Sequence, residues 1–241
     1  MPATVLVVDV ESFTTRTNPV QLSLRHRLYE LLPRAFNDAG VSWRAVVHED
    51  RGDGLLVVLP ASVAKLTLLR DVVGGIAGRV DADGGGDRHA VSPSSDEHTA
   101  LRLRVAVHAG EVHRDPYGFA GADVNHAFRL LDAPPLREAL ASSGSHCAVL
   151  VSDSLYQTIV RHGYPGLDPR RFHPVPVDVK QTRASAWLHV PGDDGCARRV
   201  SRAAAGHGQQ QAPDGGHGGV QISAGRNVTV RRGLIVGGDV H

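Results

Sequence analysis

Three carboxylates, Glu49, Asp50 and Asp53, crowd into the stretch Glu49-Asp50-Arg51-Gly52-Asp53-Gly54. Clustered acids repel one another unless a cation or a polar substrate lies among them. A further acid, Asp9, ends the apolar, β-branched run Thr4-Val5-Leu6-Val7-Val8. A carboxylate at the end of a core strand is held rigidly at the rim of a sheet. If the hairpin lies beside that strand, Asp9 and Asp53 face each other. Such a pair suits Mg²⁺ or Mn²⁺, which prefer oxygen ligands and share them with substrate phosphates. In the plainer alternative Asp9 caps the following loop and the hairpin acids are merely solvated.

Other residues point the same way. Asn125 and Arg129 are four apart in Ala122–Leu131, so on a helix they share one face. An amide and a guanidinium placed there can bond a ribose oxygen and a phosphate together, or form an exposed polar face paired with Asp132. The turn Glu11-Ser12-Phe13-Thr14-Thr15 offers N–H groups and hydroxyls to phosphate oxygens, or simply caps the next helix. Lys180, near a bend, is a candidate phosphate ligand, although a lone loop lysine is usually solvated. His108 reads as a satisfied core residue rather than a ligand.

The elements that must position these groups follow from periodicity. Val41–Val47 and Leu55–Leu59 read as strands of a hairpin around the acidic loop. A helix over about 20–38 sets Leu24, Leu28, Leu31, Leu32 and Phe36 on one face, and a second over about 62–80 is weakened by Gly74-Gly75. Residues 81–98 read as a surface loop, 101–109 as a strand and 114–121 as a flap. Helices follow over 122–131, 136–142 and 154–162, with strands over 147–151, 172–180 and 184–190. The order β-α-β-β-α-β-α-α-β-α-β-β predicts an α+β, ferredoxin-like plan, helices packed on one face of a mainly antiparallel sheet.

At 241 residues the chain has length for one sizeable core and a tail. A formal net charge of +1 gives no reason to expect nucleic acid or an anionic membrane as partner. Two cysteines, Cys147 and Cys196, make no disulfide framework, the second in an expected linker. With no signal-like start or membrane-length apolar run, the expectation is a soluble cytoplasmic protein.

Set in order, these pieces resemble the class III nucleotidyl (adenylyl/guanylyl) cyclase catalytic domain over about residues 3–190. Val7-Val8-Asp9-Val10-Glu11-Ser12-Phe13-Thr14 resembles the family's first metal motif, with Val7 for a phenylalanine and Ser12 for a glycine. Glu49–Gly54 resembles the hairpin carrying the second metal aspartate. Arg104–Val112 is similar to the strand ending histidine-x-glycine-glutamate, and Gly121–Leu130 to the segment with the transition-state asparagine and arginine. The resemblance implies two metal ions, Mg²⁺ or Mn²⁺, on Asp9, Asp53 and the Val10 carbonyl. It implies Asn125 for ribose, Arg129 for transition-state charge, Lys180 for terminal phosphates, and a homodimer with shared sites. Glu49 stands where guanylyl-type sites read the base, its partner position falls at Gly118, and GTP is favoured over ATP. A carboxylate accepts from the N1–H and amino group of guanine, whereas adenine N1 offers it no donor.

Residues 191–219 read as a disordered linker by composition. Beyond it, 220–241 holds short β-prone segments similar to bacterial amyloid-type signalling motifs, through which residues 220–238 would meet an effector. Two functions are therefore expected. One is a phosphorus–oxygen lyase closing a purine nucleoside triphosphate to a cyclic nucleotide. The other is a silent cyclase-homology module that binds nucleotide and recruits an effector through its tail.

Overall fold

The computed structural model describes residues 1–85 and 99–210. Its centre is a seven-stranded sheet in the order β2-β3-β1-β4-β7-β9-β8. The strands are β1 (Pro2–Val10), β2 (Val47–Asp50), β3 (Gly54–Pro60), β4 (Leu103–Glu111), β7 (Cys147–Ser152), β8 (His173–Val179) and β9 (Thr182–His189). All neighbours are antiparallel except β4 and β7. A separate two-stranded hairpin joins β5 (His113–Asp115) to β6 (Gly118–Ala120). The expected α+β class with a mainly antiparallel sheet is the architecture found.

Helices cover both faces, rather than the one expected. Strands with near-continuous apolar runs bury both sides, and the side-chain alternation of β1 shows how. Leu6, Val8 and Val10 pack under α1 (Asn18–Asp38) and α3 (Val73–Gly85), while Val5 and Val7 join the opposite cluster. That second cluster is covered by α4 (Ala122–Leu131), α5 (Pro134–Ser142) and α7 (Asp194–Gln210). Helix α1 forms as its spacing predicts, seating Leu24, Leu28, Leu31, Leu32 and Phe36 in the core. Each such side chain contributes about 1.5–3 kcal/mol.

Several local expectations are corrected. Residues 41–46 do not form the first hairpin strand: Trp43–Ala45 make a 3₁₀ turn, and β2 begins only at Val47. The cause is aromatic packing, because Trp43 meets Phe36 edge-on and stacks on His48. The second helix begins as α2 (Lys65–Thr67), passes through a π turn at Leu68–Val72 and continues to Gly85, past the expected loop start. The rest of that loop lies outside the described residues. The flap is a hairpin, tightened by the Asp115 carboxylate accepting from the N–H groups of Tyr117 (2.8 Å) and Gly118 (2.9 Å).

The expected linker at 191–219 is helical over Asp194–Gln210. Cys196, Ala197 and Val200 form a buried stripe of small side chains, and Ser201 donates to the Pro174 carbonyl at 2.6 Å. Alanine-rich sequence keeps high helix propensity even where polar composition suggests a linker. Residues 211–241, including the β-prone tail, lie outside the described residues. Among the described residues no helix is long and apolar enough to cross a membrane. The α6 element (Asp153–Thr158) and a 3₁₀ turn at Val160–His162 replace the longer helix expected over 154–162.

Candidate active site

Strand register brings the two aspartates together. Asp9, the penultimate residue of β1, lies between Gly54 on β3 and Arg104 on β4. The Val10 N–H donates to the Asp53 carbonyl at 2.9 Å, tying the strand end to the acidic hairpin. Gly54 is where the strands close tightly: a Cβ there would lie 2.0 Å from the Val8 carbonyl oxygen. Asp9 is buried and accepts from Arg104 through both oxygens, from Nε at 2.9 Å and Nη2 at 2.6 Å. Burial nonetheless pushes its pKa up to about 6; Arg104 opposes the rise, and the charges of Asp53 and Asp132 add to it.

Arg104 also belongs to the candidate site, though neither its type nor its spacing signals it. In an alternating strand it looks like one more outward cation, and only the register shows that it faces Asp9. His108, also on β4, is buried as expected and bonds the Asp123 carboxylate through Nε2 at 3.1 Å. Asp123 takes a second bond from the Glu111 N–H at 2.6 Å, which anchors the first turn of α4 to the end of β4.

The hairpin acids take separate roles. Asp50 accepts from Arg25 Nη1 at 3.0 Å and from the Gly52 N–H at 2.7 Å, so it builds the turn. The Arg25 bond and then the Gly52 bond hold its pKa far below the usual carboxylate range. Glu49 turns toward the β5–β6 hairpin, where Oε1 accepts from the Phe119 N–H at 2.9 Å. Gly118 does sit beside Glu49. At its φ of +137° a Cβ would fall 2.5 Å from Glu49 Oε1, so only glycine leaves that carboxylate in place.

Asn125 and Arg129 share a face of α4 as their spacing predicts, Asn125 exposed and Arg129 half-buried. Neither side chain has a hydrogen bond or ion pair among the described residues. Phe13 starts a 3₁₀ turn, Phe13–Thr15, and packs on the core, while Thr14 is exposed. Lys180 is exposed at the two-residue β8–β9 turn. Ser12 (φ 54°) and Lys180 (φ 57°) are the two non-glycine residues in the left-handed region among those described. Such conformations cost free energy and concentrate at functional sites. Ser12 stands at the position where the resemblance expects glycine, and its backbone shows why glycine suits it.

The residues at the strand ends fit a hard divalent cation in donor type. Among the described residues no three His, Cys, Asp or Glu side chains converge on one point. A cation here would rest on Asp9, Asp53 and main-chain or ligand oxygens, the set Mg²⁺ prefers. Each Asp9 oxygen keeps a second lone pair beside its bond to Arg104. A cation would also relieve the desolvated, acid-flanked carboxylate.

No protein-family model matches the sequence, and no curated protein matches it. Solved structures do. The guanylyl cyclase Cya2 shares 17% identity at a TM-score of 0.51, covering 79% of this chain and 93% of its own. An adenylate/guanylate cyclase/hydrolase from Silicibacter pomeroyi shares 21% at 0.52, covering 79% and 97%. A bacterial light-regulated adenylyl cyclase shares 10% at 0.51, covering 84% and 97%. The chain thus has the fold of the guanylyl and adenylyl cyclase catalytic domain.

Proposed function

We propose that this chain is a nucleotidyl cyclase that converts a purine nucleoside triphosphate, GTP in preference to ATP, to its 3′,5′-cyclic nucleotide and pyrophosphate. The observation that carries this reading is the pairing of Asp9 and Asp53 at adjoining strand ends, with Asp9 desolvated enough to lift its pKa to about 6. In this reading the ribose 3′-oxygen attacks the α-phosphorus, the bond to the β-phosphate bridging oxygen breaks, and the 3′-proton passes to solvent. Arg129 stabilises the charge that develops, Asn125 orients the ribose, Lys180 and the Phe13–Thr14 turn hold phosphate, and Glu49 beside Gly118 reads the base. Mg²⁺ or Mn²⁺, two ions held by Asp9, Asp53 and the Val10 carbonyl, would supply Lewis-acid charge neutralisation. The unpartnered α4 face supports a head-to-tail homodimer in which one chain's α4 meets the other's acids.

A second reading, a silent nucleotide-binding module that recruits an effector through residues 220–238, is favoured by one observation. Both Glu49 oxygens are already bonded within the chain. The two readings separate when purified protein is incubated with Mn²⁺ and GTP or ATP and products are read by mass spectrometry beside an Asp53→Ala control. Cyclic product that disappears in the control supports the cyclase. Nucleotide binding with no product supports the silent module. Co-sedimentation with an effector that survives Ile222→Asp and Val228→Asp would rule out tail pairing.

A further inference from the structure

Arg51 lies in the acidic hairpin between Glu49 and Asp53. Its Nη2 donates to Glu49 Oε2 at 2.6 Å, and its guanidinium lies 5.2 Å from the centre of the Phe128 ring, next to Arg129. With the Phe119 N–H on Oε1, Arg51 gives each Glu49 oxygen a hydrogen-bond partner within the chain. The side chain therefore links the base-reading hairpin to the helix that carries Asn125 and Arg129.

A guanidinium and the Watson–Crick edge of guanine are alike in one respect: each presents in-plane N–H donors to a carboxylate. Adenine presents one donor and one acceptor at that edge, so it cannot replace Arg51 on Glu49 without leaving the acid under-bonded. We propose that Arg51 is a latch that occupies Glu49 in the nucleotide-free chain and that guanine, but not adenine, displaces it at a cost in affinity. The inference rests on the reading of Glu49 as the base-recognition residue. It adds that guanine binds against a competing side chain of the same hairpin, which lowers GTP affinity and leaves ATP affinity untouched. Phe128 gives the released guanidinium a resting place, because an aromatic face holds it without the carboxylate.

The test is equilibrium binding of fluorescent GTP and ATP analogues, with Ca²⁺ in place of Mn²⁺ to suppress turnover, to full-length wild type, Arg51→Ala, Glu49→Ala and the double variant. Arg51 is exposed enough that circular dichroism should confirm an unchanged fold in Arg51→Ala. The latch predicts that Arg51→Ala tightens GTP binding about two- to fivefold, the range of an ion pair this exposed, and leaves ATP unchanged. In the Glu49→Ala background, Arg51→Ala should then have no further effect. Unchanged or weaker GTP binding by Arg51→Ala, with wild type still binding nucleotide, overturns the latch and leaves the cyclase reading standing. An equal gain for ATP, or a gain that persists without Glu49, also overturns it. Failure of every variant to bind either nucleotide overturns the base-recognition reading as well.

Discussion

Asp9 is buried with both oxygens bonded to Arg104, whereas Asn125 is exposed and Arg129 has no partner among the described residues. The first half of the candidate site stands on central strands and is satisfied within the chain. The second half stands on a helix surface and is not. A side chain of the first kind serves folding and chemistry at once, so mutating it confounds the two. A side chain of the second kind adds little to folding and is the cleaner probe of function.

Stability and turnover measured together would sharpen that contrast. Gly54→Ala should have the largest effect, with a loss of more than about 3 kcal/mol in denaturant unfolding, because its Cβ would fall on the β1 backbone. Asp9→Ala should cost about 3 kcal/mol by leaving a mostly buried Arg104 without its counter-charge. Arg129→Ala should change stability by no more than about 0.5 kcal/mol, yet reduce cyclic-nucleotide formation about 10²–10³-fold if it faces developing charge. A large stability loss in Arg129→Ala would break the comparison.

Solution pH tests the buried half when wild type is compared with Asp9→Asn, because His126 and His189, held below the ordinary histidine range by burial, titrate nearby with the opposite sign. Burial raises the Asp9 pKa from 3.8 to about 6, so between those values the folded chain holds a proton that the unfolded chain releases. The Asp9 contribution to stability therefore falls as pH rises across that window, by an amount on the order of 3 kcal/mol, and levels off above it. Asp9→Asn should remove that contribution. Protons should also weaken Mn²⁺ binding below about pH 6, which isothermal titration would register.

The smallest effect concerns the left-handed residues. Ser12→Gly should stabilise the fold by about 0.5 kcal/mol, the released strain being partly offset by a more flexible unfolded chain. Lys180→Gly should do the same while weakening triphosphate binding. Matched gains in melting temperature with binding lost only in the Lys180 variant would locate phosphate contact at that turn.

The acids, the α4 pair and most elements were legible in the sequence because type and spacing carry them. Asp9 ends a run too apolar to be anything but a strand, and Asn125 and Arg129 are one helical turn apart. Arg104 was not legible, because its role depends on β1–β4 register, a long-range property. Helix α7 was missed because its buried stripe, Cys196, Ala197 and Val200, is too small to stand out from polar neighbours. The start of β2 was misplaced because β-prone Val41 and Val46 flank a turn that Trp43 fixes through its ring contacts.

The Asp9–Arg104 pair spans 95 residues of sequence. Contacts between such distant segments form late, since the chain between them must first be ordered. During synthesis β1 emerges with an uncompensated acid, and its counter-charge follows only after α1 and α3 have been made. The hairpin bearing Glu49 and Asp53 is local and closes early. Assembly of the acid centre is thus a report on completion of the sheet: a chain arrested before β4 has its acidic hairpin but no paired Asp9.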